Sequence, residues 1–187
     1  MRYIISVIVA SFLLVSCSNE RLANPSQYVN PFIGASTSTG LAGTYHGMGK
    51  TFPGATTPYG MVQVSPQTIT GGDNSSGYSY EHKTIEGFAF TQMSGVGWYG
   101  DLGNFLTMPT TGKLQLIAGR EDGSIQGYRS LYDKSSEEAS AGYYCATLTD
   151  YNIKAEATAA SHSGILRFTY PANSQSRIQI DLARRVG

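Results

Sequence analysis

Ile178-Gln179-Ile180-Asp181-Leu182 alternates apolar and polar side chains at every step. That is the period of a strand, whose successive side chains point to opposite faces of a sheet. Toward the N-terminus, similar short runs recur at Tyr143 to Thr147, Ile153 to Ala159 and Ile165 to Tyr170. The stretches between them, Asp150-Tyr151-Asn152, Ser161-His162-Ser163-Gly164 and Pro171-Ala172-Asn173-Ser174, carry turn chemistry. Short strands separated by turns every ~8–12 residues predict an all-β, antiparallel β-sandwich. Ser135-Ser136-Glu137-Glu138 resembles a helix capping box, but Ala139-Ser140-Ala141-Gly142 leaves little helix to cap.

Further upstream, Met61 to Ser65 alternates with Val62 and Val64 on one face, and Ile85 to Gln92 is another strand candidate. Phe105 to Met108 and Leu114 to Ile117 follow. Tyr28 to Gly34 reads as an extended segment broken by Pro31, and Ala35 to Gly49 as a long Gly/Ser/Thr-rich loop. Two arms stand out within Lys50 to Pro109. One holds Thr51-Phe52-Pro53-Gly54 and Pro58-Tyr59-Gly60, the other Gly95-Val96-Gly97-Trp98-Tyr99-Gly100-Asp101. Loops so dense in Gly, Pro and aromatics present backbone and rings to a ligand, or else turn a tight sheet corner.

The N-terminus reads differently. Arg2 precedes the apolar run Ile4 to Val15, which is shorter than the ~20 residues that span a bilayer. With Leu14-Val15-Ser16-Cys17 it looks like a bacterial lipoprotein signal, residues 1–16, with Cys17 lipidated. Residues 18–27 then form a polar tether and 28–187 one domain. The expected location is the cell envelope, held by a lipid anchor, in the periplasm or at the outer-membrane surface. With Cys17 lipidated, Cys145 has no disulfide partner, so the fold rests on its core.

Thirteen Lys and Arg balance 13 Asp and Glu, and only 14% of the 187 residues are charged. No basic stripe is present to neutralise a phosphate backbone, which argues against nucleic acid. Thirteen tyrosines and many amides and hydroxyls suit a neutral, polyhydroxylated partner such as a carbohydrate. Gly95 to Gly100 meets the letter of the dinucleotide fingerprint, but loop and not helix continues after it. His46, His82 and His162 share no metal-ligand spacing, and only His46 lies in the Gly-rich loop. Asp101, beside Trp98 and Tyr99, is placed as a sugar-contacting acid is, or as a turn-forming one. Glu86 reads as the outward face of a strand, and Glu137 and Glu138 as part of a charged connection. No second carboxylate pairs with Asp101, so no catalytic set is complete.

Several blocks resemble one family. They are Val29-Asn30-Pro31-Phe32-Ile33-Gly34, Thr51-Phe52-Pro53-Gly54-Ala55 with Pro58 to Gln63, Met93 to Gly103, Ser136-Glu137-Glu138-Ala139 with Gly142-Tyr143-Tyr144, and Asp150 to Glu156. Together, from about Val29 onward, they resemble the N-terminal domain of glycoside hydrolase family 92. The resemblance implies an exported, calcium-dependent, inverting exo-α-mannosidase in which a supersandwich-like β-domain packs on an (α/α)₆ barrel. General acid, general base and calcium ligands belong to that barrel, so the resemblance implies a fragment without its catalytic domain. It places Trp98 and Asp101 in the sugar pocket and Phe32 near it, with Tyr99, Lys50 and His46 as further candidates. Lys50, Phe90 and Gln92 stand where many members carry histidine, which bears on linkage preference. A stand-alone, non-enzymatic glycan-binding lipoprotein is the other reading.

Overall fold

The computed structural model describes residues 24–36, 51–68, 76–93 and 102–184. Among these, the chain forms ten strands. They are β1 (Ala55–Thr56), β2 (Gln63–Gln67), β3 (Thr84–Ile85), β4 (Gly87–Ala89) and β5 (Leu106–Thr110). Then follow β6 (Ser130–Ser140), β7 (Tyr143–Leu148), β8 (Ile153–Ala159), β9 (Gly164–Thr169) and β10 (Arg177–Asp181). One sheet has the order β1-β2-β4-β5-β10, the other β3-β6-β7-β8-β9, and the named strands pair antiparallel throughout. The all-β sandwich expected from the alternating runs is what forms.

Four local expectations change. Tyr28 is not extended but closes a 3₁₀ turn, Pro25–Tyr28, capped by Asn24, whose side chain accepts from Ser26 N at 3.2 Å. Ile85 to Gln92 is not one strand. The chain leaves β3, passes Glu86 and enters β4 in the other sheet. Ser135 to Glu138 is neither helix nor connection but lies inside β6, the longest strand. A register shift between Asp133 and Glu138 hides its period from the sequence. Leu114 to Ile117 forms no strand.

Hairpins run in sequence through the second sheet. Ala141-Gly142 joins β6 to β7 directly beyond the Ser140↔Tyr143 pair, with Gly142 at φ 78. Asn152, at φ 51, closes the turn before β8, a conformation its short amide tolerates.

Opposed residues in a ladder share a face, so Pro66, Phe88, Thr107 and Ile180 lie on one side of the first sheet. This is the inner side: the Phe88 ring meets Tyr144 at 6.4 Å and Phe168 at 5.9 Å from the second sheet. Val64, Ala146, Leu148, Ile153 and Ala155 complete the buried centre. Each fully buried Val, Leu, Ile or Phe side chain among them contributes about 1.5–3 kcal/mol. A Cβ on Gly164 would stand 2.4 Å from Val64 Cγ2, so β9 starts in direct contact with the first sheet.

The alternation that announces β10 faces the wrong way for a finished core. Ile178, Ile180 and Leu182 are on or beside the inner face yet 57%, 59% and 73% exposed. The polar residues of β10 turn to the opposite face and are bonded there. Thr110 Oγ1 donates to Gln179 (2.8 Å), Gln179 Nε2 to Gln115 O (2.8 Å), Tyr128 OH to Asp181 (2.6 Å) and Arg177 to Gly112 O (2.6 Å).

Candidate functional site

Of the six candidate sugar-pocket residues, Phe32 is the one whose structure is described. Cys17, His46, Lys50, Trp98, Tyr99 and Asp101 lie outside the described residues, as does the tether up to 23. The roots of both Gly-rich segments are described.

The segment 37–50 leaves and returns through a pinned neck. Thr51 Oγ1 donates to Ile33 O at 2.8 Å, and Gly34, at φ +80, lies against the same threonine. Phe32 is half-buried, its ring edge-on to Tyr80 at 5.8 Å. Tyr80 N donates to Ala35 O (3.0 Å), and Ser79 N to Thr68 Oγ1 (2.8 Å). This neck therefore sits beyond the C-terminal end of β2. The segment 94–101 departs from the other end, where Gln92 N bonds Gln63 O (3.3 Å) and Gly103 N bonds Thr91 Oγ1 (3.2 Å). Among the described residues, Phe32 and the roots of the Trp98 segment are not brought together.

The second end carries features that the sequence did not reveal. Tyr59 and Phe105 hold left-handed backbone, φ 57 and 56, with exposed rings. Such conformations cost about 1–2 kcal/mol each in a side-chain-bearing residue. Gln92 is buried, yet neither its Nε2 nor its Oε1 has a hydrogen-bond partner, and Thr57 Oγ1 is likewise buried and unpartnered. The Pro58-Tyr59-Gly60 turn was the only sequence signal for any of these.

The acids resolve differently from their sequence readings. Glu86 is not outward-facing but fully buried at the crossing between sheets. It accepts from Arg129, from Arg184 (2.6 and 3.1 Å) and from Gln67 (3.3 Å). Glu137 also points inward, accepting from Tyr78 OH (2.9 Å), Tyr144 OH (2.8 Å) and Lys134 Nζ (2.8 Å). The Lys134 ammonium lies 4.3 to 5.2 Å from the ring centres of Tyr80, Tyr132 and Tyr78. Burial first, and the Glu137 charge second, push the Tyr78 and Tyr144 hydroxyls well above the usual phenol range, so both stay donors. This network ties Tyr80, and through it Phe32, to the second sheet.

Glu156 lies on the outer face of the second sheet. Arg167 grips it with two bonds of 2.6 Å and Tyr143 OH with one of 2.7 Å. Those bonds, Arg167 first, lower its carboxyl to about 2. A cleft of about 540 Å³ opens between residues 118–127 and β6, lined by Arg120, Glu121, Arg129, Asp150 and Tyr151. Asp150 is occupied there by Leu131 N at 2.9 Å. Glu86, Glu137 and Glu156 are thus saturated by cations and hydroxyls, and none is presented as a proton donor or base.

Comparison with known proteins settles the family. The family model described as the glycosyl hydrolase family 92 N-terminal domain matches residues 28–187. The chain belongs to glycoside hydrolase family 92. Its family 92 fold superposes on that of the α-mannosidase BT3965 from Bacteroides thetaiotaomicron with TM-score 0.77 and 41% identity, over 86% of this chain and 20% of that one. The family 92 glycosyl hydrolase ccman5 gives 0.67 and 27%, over 86% and 20%. A protein of Arthroderma benhamiae described as an uncharacterized secreted glycosidase is 31% identical over 138 residues, 72% of this chain and 17% of that protein. The chain spans about a fifth of the length of these relatives.

Proposed function

We propose that this chain is the N-terminal part of an exported exo-α-mannosidase acting on α-mannoside glycans. The observation that carries the reading is the 41% identity to an α-mannosidase over most of the chain. The Gly-rich segment with Trp98 and Asp101 is present in full. In this reading Trp98, with Tyr99, walls the terminal mannose, and Asp101 accepts from its hydroxyls. Lys50 begins the other arm and stands toward the leaving sugar, with His46 in the preceding Gly-rich loop and Phe32 in the early block near the pocket.

Inversion at an anomeric carbon needs an acid and a base about 6.5–9.5 Å apart, with water between them. Glu86, Glu137 and Glu156 are committed to structural bonds, and the family resemblance assigns both groups to further polypeptide, the (α/α)₆ domain. Among the described residues no three His, Cys, Asp or Glu side chains assemble a metal site. The resemblance assigns the calcium to that domain, where it would bind and polarise sugar hydroxyls. The residues of this chain orient the sugar and exclude water from its face. Leu14 to Cys17 supports export and lipid anchoring of the same protein in a bacterial envelope.

The test is hydrolysis of an aryl α-mannoside with calcium present, by the 187-residue chain and by the longer polypeptide that carries the barrel. Turnover by the longer protein alone is expected. Turnover by the short chain would overturn the division of labour. Tight calorimetric binding of mannose oligosaccharides by the short chain would favour a stand-alone glycan-binding module instead.

A further inference from the structure

The irregularity in β6 produces a buried ion pair. Side chains three apart on a regular strand point to opposite faces, yet Lys134 Nζ and Glu137 Oε2 meet at 2.8 Å on the inner side of β6. The register shift between Asp133 and Glu138 turns one of them over. Other residues build that shift. Asp133 Oδ1 accepts from Ser135 N and Oγ (2.9 and 2.7 Å), Ser136 Oγ donates to Asp133 O (2.7 Å), and Thr147 N donates to Ser136 Oγ (2.9 Å). The ion pair is therefore a product of the bulge and not its fastening.

What the pair holds lies outside the sheets. Lys134 Nζ also donates to Tyr78 OH (2.9 Å) and stands 4.3 Å from the centre of the Tyr80 ring. Tyr80 belongs to no strand and is 50% exposed, so burial alone does not fix its ring. The ammonium holds it, and Phe32 meets it edge-on at 5.8 Å. Phe32 N donates to Asn30 Oδ1 at 3.0 Å, which fixes the main chain and leaves the ring to its neighbours. Glu137, Lys134, Tyr80 and Phe32 thus form one chain of contacts leading out of the sandwich. A buried ion pair is a weak source of stability, because desolvation offsets most of its attraction, and its best-attested use is to impose one conformation.

We propose that Lys134, anchored by Glu137, is a positioning residue for sugar binding: it fixes the Tyr80 ring and, through that ring, sets Phe32 against the glycan. This rests on the reading that Phe32 borders the mannose pocket of a longer enzyme. Lys134 and Glu137 touch no sugar and move no proton. They act through Phe32 alone, so their removal weakens binding and leaves the chemical step intact.

The experiment uses the longer polypeptide and an aryl α-mannoside. Lys134→Met alone would strand the Glu137 charge in the interior, so it is combined with Glu137→Gln, whose remaining oxygen still accepts from Tyr78 and Tyr144. Tyr80→Leu is the second variant: it removes the ring between Lys134 and Phe32 and leaves the ion pair whole. Each should raise KM at least about fivefold, the equivalent of ~1 kcal/mol of lost binding, with kcat within about twofold of wild type. In a Phe32→Ala background neither should raise KM further. A role in folding alone would lower kcat by reducing the active fraction and leave KM unchanged, and that result would overturn the proposal. So would an equal rise in KM with and without the Phe32 ring. Ring placement is read separately, from crystal structures of the longer protein with and without Lys134→Met/Glu137→Gln. Phe32 should turn from its place in the variant, and a ring that stays would overturn the proposal whatever the kinetics. A longer wild-type protein without turnover would sink the mannosidase reading, and the two crystal structures would then decide the positioning role by themselves.

Discussion

Glu86 and Glu156 offer a controlled comparison, because each accepts a two-pronged bond from an arginine and both side chains are little exposed, 0% and 7%, while their arginines differ in exposure. Arg184 donates to Glu86 at 2.6 and 3.1 Å, and Arg167 to Glu156 at 2.6 and 2.6 Å. The Glu86 side chain is 0% exposed and its second partner Arg129 only 10%, whereas Arg167 is 72% exposed. Glu86→Gln keeps the shape but sets an amide N–H₂ against guanidinium donors and leaves Arg129 buried with its charge uncompensated. Breaking such a pair costs about 3–5 kcal/mol. Arg184, 28% exposed, can turn to water, so the lower end, about 3 kcal/mol, is the expected loss. With a urea m-value of about 2 kcal/mol/M, the midpoint falls by about 1.5 M. For Glu156→Gln the arginine simply rehydrates, and the shift should be under about a third of that. Urea unfolding followed by tyrosine and tryptophan fluorescence measures both. Equal shifts for the two substitutions would refute the argument from burial.

Acid should act on the Glu156 pair in a defined window. Its carboxyl is held at about 2 in the folded protein against an ordinary 4.5. The stability it contributes is therefore present above about pH 4.5 and lost as the pH falls toward 2. The difference between the wild-type chain and Glu156→Gln should vanish across that interval in pH-dependent unfolding, and a difference that grows on acidification would contradict the sign. Gly164 has an ordinary backbone conformation, so its role is space: a Cβ there would stand 2.4 Å from Val64 Cγ2 and 2.9 Å from the Phe90 ring. Gly164→Ala should cost about 1–3 kcal/mol. A neutral result in the same denaturation assay would mean that β9 sits farther from the first sheet.

The hairpins β6 to β9 explain what was legible. Where a strand pairs with its sequence neighbour through a short turn, period and turn chemistry are both local, and β7, β8 and β9 fall within a residue or two of their expected bounds; β10, which pairs with distant β5, was legible from its alternation alone. β6 escaped because its irregular register breaks the alternation. Glu86 and Glu137 were misread because composition cannot show that Arg129 and Arg184 converge on the one, and Lys134, Tyr78 and Tyr144 on the other. The stripe Ile178, Ile180, Leu182 was correctly a strand, but which side of it is covered depends on neighbours that no local pattern encodes. Of the sugar-facing residues, family blocks and not periodicity pointed to Trp98 and Asp101. The left-handed Tyr59 and Phe105 and the unpartnered amide of Gln92 needed coordinates.

The central claim is that the glycine-rich segment bearing Trp98 forms one wall of a mannose pocket. The most direct measurement is kcat/KM for an aryl α-mannoside in the longer polypeptide, with and without Trp98→Ala. Loss of a ring stacked on the sugar should lower it at least about tenfold, the equivalent of 1.4 kcal/mol of transition-state binding. An unchanged kcat/KM with intact folding would contradict the claim.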